Sequence, residues 1–238
     1  MFILNTLQER LKHIQGRVNN AAIKAGRNPK QITIIAITKK FPLETWEQAL
    51  SAKLTNFGES QVREAGEKAE KFSKREKIKV HFIGHLQSNK VRKAIALFDV
   101  IQTVDSTRLA KKINKICKEE QKKQSLFLQV NIDGDPKKHG FTAKNAITAA
   151  REINKLENLQ LDGIMTIPSQ KHSIKEIRSI YRKTRELRDK IRKNINDNCK
   201  NISMGMTKDY EIAITEGATH DTCIKYSRIW NGSPGITN

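Results

Sequence analysis

The most apolar segments of the chain are short and evenly spaced, and they alternate with longer segments of helical periodicity. The clearest begins at Ile32, where β-branched residues follow one another without polar alternation as far as Ile37. Such a run is typical of a strand buried on both faces of a parallel sheet. Lys39 lies at its carboxyl end, where the loops of α/β folds gather their active sites. The pattern therefore makes Lys39 a candidate for chemistry, with an ordinary surface lysine as the alternative.

The same alternation continues along the chain. It predicts strands at Leu54–Phe57, Lys79–Ile83, Val100–Thr103, Leu126–Ile132 and Leu159–Thr166, in a segment ending at Ser203, and from Ala218 onward. It predicts helices at Leu7–Ala25, Leu43–Lys53, Val62–Lys74, Val91–Leu97, Thr107–Gln121 and Ala143–Lys155, after Ser173, and at Glu211–Thr215. About eight strands separated by helices have the period of a (β/α)8 barrel, so we predict one α/β domain over residues 1–238, a TIM barrel. A doubly wound open sheet shows the same alternation and is the alternative.

The long helix after Ser173 carries the most detailed pattern. Ser173 and Glu176 are spaced as a capping box, as Asn5 and Gln8 are for the first helix. The predicted buried stripe of the long helix consists of Ile174, Ile177, Tyr181, Thr184, Leu187, Ile191 and Ile195. Its arginines, Arg178, Arg182, Arg185 and Arg192, fall on another face, which we interpret as solvated.

Composition adds a strong positive charge to this picture. The 238 residues include 45 Lys and Arg against 25 Asp and Glu, a formal charge of +20. That balance suggests anionic partners such as phosphates or nucleic acid. Because the basic residues are spread over many predicted helices, without an Arg/Gly-rich tail, a generally basic surface is the favoured interpretation and nucleic acid is not expected as the main partner.

Three cysteines, Cys117, Cys199 and Cys223, are far apart and form no Cys-x-x-Cys pair. They indicate a reducing compartment and disfavour a disulfide framework or a zinc ribbon. The first residues carry no basic segment followed by a long apolar run, and no later stretch has the unbroken apolar length of a membrane span. We therefore expect a cytoplasmic protein that does not use a membrane.

Two segments at predicted strand ends could carry chemistry together. A lysine amine condenses with aldehydes to a Schiff base when it is partly desolvated, and Lys39 is placed for that. The segment Ser203-Met-Gly-Met-Thr207 precedes a predicted helix. Hydroxyls and backbone N–H groups at such a position bind phosphate, and glycine permits close approach. Ordinary strand-to-helix turns use the same small residues.

Other common chemistry is not favoured. His81 and His85 would suit a metal only on a helix, yet Gly84 and the apolar neighbours predict strand and turn, so we expect no metal. The common glycine-rich nucleotide motifs and the Gly-x-Ser-x-Gly motif of hydrolases do not occur.

Taken together, several segments resemble the small pyridoxal-phosphate homeostasis proteins of the YggS/PROSC type. The matching segments are Ala36–Lys39, Phe57–Glu59, His81–Lys90, Gln129–Asn131, Lys138–Gly140, Gly163–Pro168 and Ser203–Thr207 with Glu211. They occur in the family's order and at its approximate spacing, and they cover about residues 7 to 220. The run from His81 to Lys90 is long and specific.

The resemblance implies a single barrel like the N-terminal domain of alanine racemase. It implies that pyridoxal 5'-phosphate (PLP) forms a Schiff base with Lys39 and that the turn of Ser203, Gly205, Met206 and Thr207 holds its phosphate. It also implies a cofactor carrier without a catalytic residue and without the racemase's second domain. We accordingly expect a monomer in intracellular PLP homeostasis, with PLP-dependent apoenzymes as partners. A racemase-like enzyme is the alternative, and a nucleic-acid-binding protein is a more distant one.

Two departures from the family pattern bear on the cofactor. Ser60 stands where the family usually has asparagine. Residues 221–238 do not fit the family's closing segment, whose arginine contacts the cofactor ring and whose backbone contacts the phosphate. A frameshift is one hypothesis for this tail, since a reading frame one base later permits family-like codons. As written, the tail predicts weaker PLP binding, by about 1–3 kcal/mol for each lost charged hydrogen bond.

Overall fold

Parallel strands and helices alternate along the whole described part of the chain. The computed structural model describes residues 7–169 and 171–225, without the side chains of residues 221–225. The strands are β1 (Thr33–Ile37), β2 (Asn56–Glu59), β3 (Lys79–Phe82), β4 (Val100–Val104), β5 (Gln124–Gln129), β6 (Leu159–Met165), β7 (Asn201–Ser203) and β8 (His220–Lys225). The helices are α1 (Leu7–Lys24), α2 (Glu44–Ser51), α3 (Val62–Lys71), α4 (Val91–Leu97), α5 (Thr107–Glu119), α6 (Ala143–Ile153), α7 (Ile174–Asn194) and α8 (Tyr210–Thr215).

The sheet is parallel throughout, and its strands pair in chain order from β1 to β8. Ile37 of β1 pairs with Gly58 of β2, and it also lies opposite Lys225 of β8. The α/β class is therefore confirmed. The order contains no reversal, so the sheet lacks the switch point of a doubly wound fold. Because all strands run the same way, the loops that follow them meet at one end of the sheet.

Burial on both faces explains the composition of the strands. Ile35 and Ala36 of β1 are both fully buried, and so are Leu126 and Leu128 of β5. The helices cover the outer face with residues three or four positions apart, as the buried residues of α5 show: Leu109, Ala110, Ile113, Ile116 and Cys117. This periodicity gives each helix a single apolar stripe against the sheet.

Helix α7 confirms one prediction and corrects two others. The Ser173 capping box is present with both of its hydrogen bonds. Ile174, predicted to be buried, is 67% exposed, because the core reaches only as far as Ile177, one turn later. Ile180 is buried although the predicted stripe omitted it. Asn5, the predicted cap of α1, lies outside the described residues.

The arginines of α7 are not simply solvated. Arg178, Arg182 and Arg185 all form ion pairs with Glu216, whose side chain is only 6% exposed. The three cations converge because they are spaced three and four residues apart on one face of the helix. They thereby connect α7 to the end of α8.

Predicted boundaries are displaced where polar residues are buried. The fifth strand begins at Gln124 rather than at Leu126. Gln124 is buried there because its amide Nε2 donates to the carbonyls of Phe98 and Asp99. Satisfying a buried amide in this way removes the cost that would otherwise exclude it from a strand.

Candidate functional site

Lys39 lies two residues beyond the end of β1, at the end of the sheet where the strand-to-helix loops gather. Its side chain is partly exposed. Among the described residues, no hydrogen bond or ion pair reaches its Nζ. The sequence placed Lys39 at a carboxyl strand end, and that placement is confirmed. The amine is thus accessible while its backbone is held by the sheet.

The backbone on either side of Lys39 is fixed by a neighbouring group of charges. Thr38 donates its hydroxyl to Glu59 Oε1 over 2.7 Å, and its carbonyl accepts from Lys68 Nζ over 2.8 Å. On the other side, the amide of Lys40 donates to Glu64 Oε1. Lys40 has φ of 64°, a left-handed conformation that costs a non-glycine residue energy. Because both neighbouring residues are held, the backbone position of Lys39 is restricted.

Lys68 and Glu59 form the buried centre of this charge network. Their side chains are 6% and 0% exposed, and Nζ lies 2.7 Å from Glu59 Oε1. Trp46 also donates its indole N–H to that oxygen. Burial raises the pKa of Glu59, although the adjacent Lys68 ammonium and the Thr38 hydroxyl oppose the rise. A buried pair of this kind is costly to break because one charge would remain uncompensated.

Sequence reasoning missed Lys68. It noted Glu59 only as part of a motif. The available indication was that Lys68 shares the buried face of α3 with Val62 and Ala65, at intervals of three residues. A lysine on an apolar helical stripe needs a partner inside, and the carboxylate at the end of β2 supplies it.

A second network of buried polar side chains begins at Ser203 of β7 and links it to β4, β3 and β2. Ser203 Oγ donates to Gln102 Oε1 over 2.7 Å, and the Gln102 amide Nε2 lies 2.9 Å from His81 Nδ1. His81 Nε2 lies 3.1 Å from Asn56 Oδ1. These contacts are all satisfied if Gln102 donates to Nδ1 and Nε2–H donates to Asn56. Burial lowers the pKa of His81 to about 3, in keeping with a neutral ring.

The turn after β7 keeps its predicted residues together, and donors of Ser203 and Met206 have partners within the protein. The hydroxyl of Ser203 is fully buried and points to Gln102. The amide of Met206 donates to the Asp209 carboxylate. Gly205 has φ of 99°, a conformation that favours glycine, and Thr207 is partly exposed. Of the two hydroxyl residues in the predicted phosphate turn, Thr207 is therefore the more exposed.

His81 and His85 do not come together. His81 is inside the sheet, 1% exposed, whereas His85 lies in the loop after β3 beside Asp105. The spacing of these two histidines therefore makes no site. The part of the tail that departs from the family pattern is described only as the backbone of β8, and residues 226–238 lie outside the described residues. No helix in the described ranges is long and apolar enough to cross a membrane.

Comparisons with known proteins agree on one family. A family model described as the N-terminal domain of alanine racemase matches residues 10–223. The pyridoxal phosphate homeostasis protein of Haemophilus influenzae is 33% identical over 215 residues, which cover 90% of this chain and 91% of the relative. That of Aquifex aeolicus is 32% identical over 211 residues, covering 89% of this chain and 92% of the relative.

Solved structures show the same similarity in three dimensions. PipY of Synechococcus elongatus with PLP bound has a TM-score of 0.81 and 27% identity, covering 92% of this chain and 97% of that one. An alanine racemase of Clostridium difficile has a TM-score of 0.71 and 16% identity, covering 98% of this chain but 57% of that one. The racemase similarity shows the fold alone.

Proposed function

The chain belongs to the alanine racemase N-terminal domain family, together with the pyridoxal phosphate homeostasis proteins, and from that membership we propose that it binds PLP and holds it for delivery within the cell. The observation that carries the proposal is the accessible Lys39 amine, which has no acceptor among the described residues. Its flanking residues are held by the side chains of Glu59, Lys68 and Glu64.

The residues at this end of the sheet fit the cofactor. When bound, PLP supplies an aldehyde that condenses reversibly with a primary amine, and a phosphate that needs donors. Lys39 is the amine we assign, as a Schiff base. Lys68 is unsuited to this role, because its ammonium is buried and has acceptors on Thr38, Glu59 and Glu64. The neighbouring network thus leaves Lys39 as the reactive lysine.

We assign the phosphate to the turn of Ser203, Gly205, Met206 and Thr207. A hydroxyl donates one hydrogen, so Ser203 cannot donate to phosphate while it donates to Gln102. Its part is therefore to anchor the turn, and the partly exposed Thr207 is the side chain that we assign to the anion. The left-handed Gly205 lets the backbone of the turn approach closely.

The proposed role is carriage without catalytic turnover, by a cytoplasmic monomer whose recipients are PLP-dependent apoenzymes. The alternative is a racemase-like enzyme, suggested by the match of residues 10–223 to the family model of the N-terminal domain of alanine racemase. Racemisation needs an acid or base to move the proton at the amino acid's α-carbon. Exchange of that proton with deuterated solvent, measured with the loaded protein, separates the two. If the protein only carries PLP, the α-proton should exchange no faster with the wild type than with the K39A variant.

We further propose that the strands form the complete (β/α)8 barrel of one domain. The pairing of β8 with four residues of β1 supports closure, as does its pairing with Ser203 of β7. Hydrogen exchange tests this directly. Amides of β8 that bond to β1 and β7 should exchange as slowly as those of β5, and rapid exchange along β8 would indicate an open edge.

Retention of the cofactor tests the binding proposal. The purified protein is loaded with PLP, freed of excess by gel filtration, and assayed for bound PLP. The wild type and the K40A control should retain about one equivalent, whereas K39A should retain little. Equal retention by K39A and the wild type would overturn the role of Lys39.

A further inference from the structure

We propose that His85, Asp105 and His139 form a binding site for a divalent transition-metal ion of the Zn²⁺, Co²⁺ or Ni²⁺ class. One donor atom from each of the three residues lies within 4.8 Å of the other two. Asp105 Oδ2 lies 3.2 Å from His85 Nδ1 and 3.7 Å from His139 Nδ1. The three residues come from successive loops after β3, β4 and β5. They therefore meet at the end of the sheet where α/β folds place ligands.

Asp105 supplies the strongest indication that a cation belongs there. Its side chain is 11% exposed, and its only ionic partners among the described residues are His85 and His139. The comparably buried carboxylates of Asp133 and Glu216 each have a lysine or arginine partner. A partly buried carboxylate between two imidazoles, in a chain of charge +20, is short of a permanent positive partner. A metal ion would supply one.

The backbone that carries His85 is fixed before any ion binds. Gly84 packs so closely that a Cβ there would lie 2.1 Å from the Ser60 carbonyl oxygen. The carbonyl of Gly84 also accepts from Thr103 Oγ1 of β4, two residues before Asp105. The loop of His85 and the strand end of Asp105 are thus joined directly. A site assembled from pre-positioned backbones loses less entropy when it closes.

The loop that carries His139 is held in a similar way. The carbonyl of His139 accepts from Gln129 Nε2, and the adjacent Gly140 has φ of 122°. The backbone N–H of Phe141 donates to the carbonyl of Gln129, and the carbonyl of Phe141 accepts from the backbone N–H of Asn131. These bonds return the loop to the end of β5. The backbone of His139 is thereby held close to the end of β5, although its side chain is exposed.

The imidazoles must turn out of a stacked arrangement to close on an ion. Their rings are stacked, with centroids 4.0 Å apart and planes inclined by 16°. Zinc–nitrogen bonds are about 2.0–2.1 Å, so the donors must turn toward a common point. The side chains of His85 and His139 are 48% and 60% exposed, which leaves room for that rotation.

The donor set defines the class of ion. Two imidazole nitrogens and one carboxylate oxygen suit Zn²⁺, Co²⁺ and Ni²⁺, whereas Mg²⁺ and Ca²⁺ prefer oxygen ligands throughout. Three protein ligands leave coordination positions open to water or another ligand. Sequence reasoning considered His85 only with His81 and overlooked Asp105 and His139, because three separate loops supply this site.

Titration of the untagged, PLP-free protein with CoCl₂ and ZnCl₂ tests the proposal independently of cofactor binding. Isothermal titration gives stoichiometry and affinity, and the visible spectrum of Co²⁺ reports nitrogen and oxygen ligation. The wild type should bind one equivalent. D105N and H139A should each weaken binding at least about tenfold, since even indirect supports of metal ligands are worth about 10–100-fold.

The control is H13A, because His13 is exposed on α1 and belongs to no cluster among the described residues. It should bind the metals as the wild type does. Circular dichroism of D105N and of H139A checks that each variant is folded. Because H139A changes an exposed side chain, it keeps the test valid if D105N misfolds. Failure of the wild type to bind one equivalent, or equal affinity in wild type, H139A and D105N, would overturn the site.

Discussion

At the scale of single residues, the side chain of Lys39 is distinguished by what surrounds it. The ammonium of Lys68 donates to three acceptors, and the same network holds the residues on both sides of Lys39. The position of Lys39 could be predicted from the β-branched run before it. The network could not, because Glu59 and Lys68 come from different elements and meet only in the folded chain.

The two hydroxyl residues of the turn should respond differently to substitution. Ser203→Ala leaves the buried Gln102 Oε1 without its donor, so we expect unfolding free energy to fall by about 1–3 kcal/mol. Thr207→Val should weaken PLP binding more than Ser203→Ala does. Urea unfolding and PLP titration of both variants measure this. A large loss of PLP affinity in Ser203→Ala with unchanged stability would mean that Ser203 donates directly to phosphate.

Protonation of His81 should make the fold sensitive to acid. Burial lowers its folded-state pKa to about 3, below an ordinary value near 6.5, so the unfolded chain binds more protons between these limits. Stability from His81 is therefore fully present above about pH 6.5 and is lost as pH falls toward 3, at no more than about 1.4 kcal/mol per pH unit.

Urea unfolding between pH 7 and pH 4.5 measures this dependence. The His81→Gln variant should show a shallower loss of stability, whereas the exposed His13→Gln control should match the wild type. Identical slopes in the wild type and His81→Gln would contradict a buried neutral histidine.

At the scale of elements, hydrophobic periodicity predicted most helices and strands, because each helix buries one face and each strand buries two. It failed where burial depended on a distant partner. Ile174 is exposed because the core ends at Ile177, and the arginines of α7 are paired because Glu216 lies at the end of α8. Gln124 extends β5 because carbonyls of another loop accept from its amide.

The close contact between the loops after β2 and β3 can be tested at Gly84. A Cβ at this position would lie 2.1 Å from the Ser60 carbonyl oxygen, so Gly84→Ala must move backbone. We expect a loss of about 1–3 kcal/mol in unfolding free energy. At Gly16, in α1, an added Cβ would meet no atom within 4 Å. Gly16→Ala should instead stabilise by about 0.5–1 kcal/mol, and a Gly84→Ala protein as stable as the wild type would contradict the close packing.

At the scale of the whole molecule, the charge of +20 is distributed rather than concentrated in one described site. Part of it is paired within the fold: Arg178, Arg182 and Arg185 share the buried Glu216, and Lys68 is buried with Glu59. These cations help to join elements, and their charge is partly offset by the carboxylates that they pair with. The composition alone could not distinguish them from surface charges.

We therefore expect only weak, salt-sensitive attraction to nucleic acid. Fluorescence anisotropy with a labelled duplex of about 20 base pairs should show affinity that falls steeply between about 50 and 200 mM salt, without sequence preference. Saturable, sequence-dependent binding at the higher salt would favour the nucleic-acid hypothesis instead.

Covalent attachment of PLP at Lys39 is the central claim, and reduction with borohydride tests it most directly. The PLP-loaded protein is reduced, digested and mapped by mass spectrometry, with K39A as the matched control. The expected result is a pyridoxyl group on the peptide that contains Lys39, at about one per chain, and none at the corresponding position in K39A. A principal adduct on another lysine, or no adduct after loading, would contradict it.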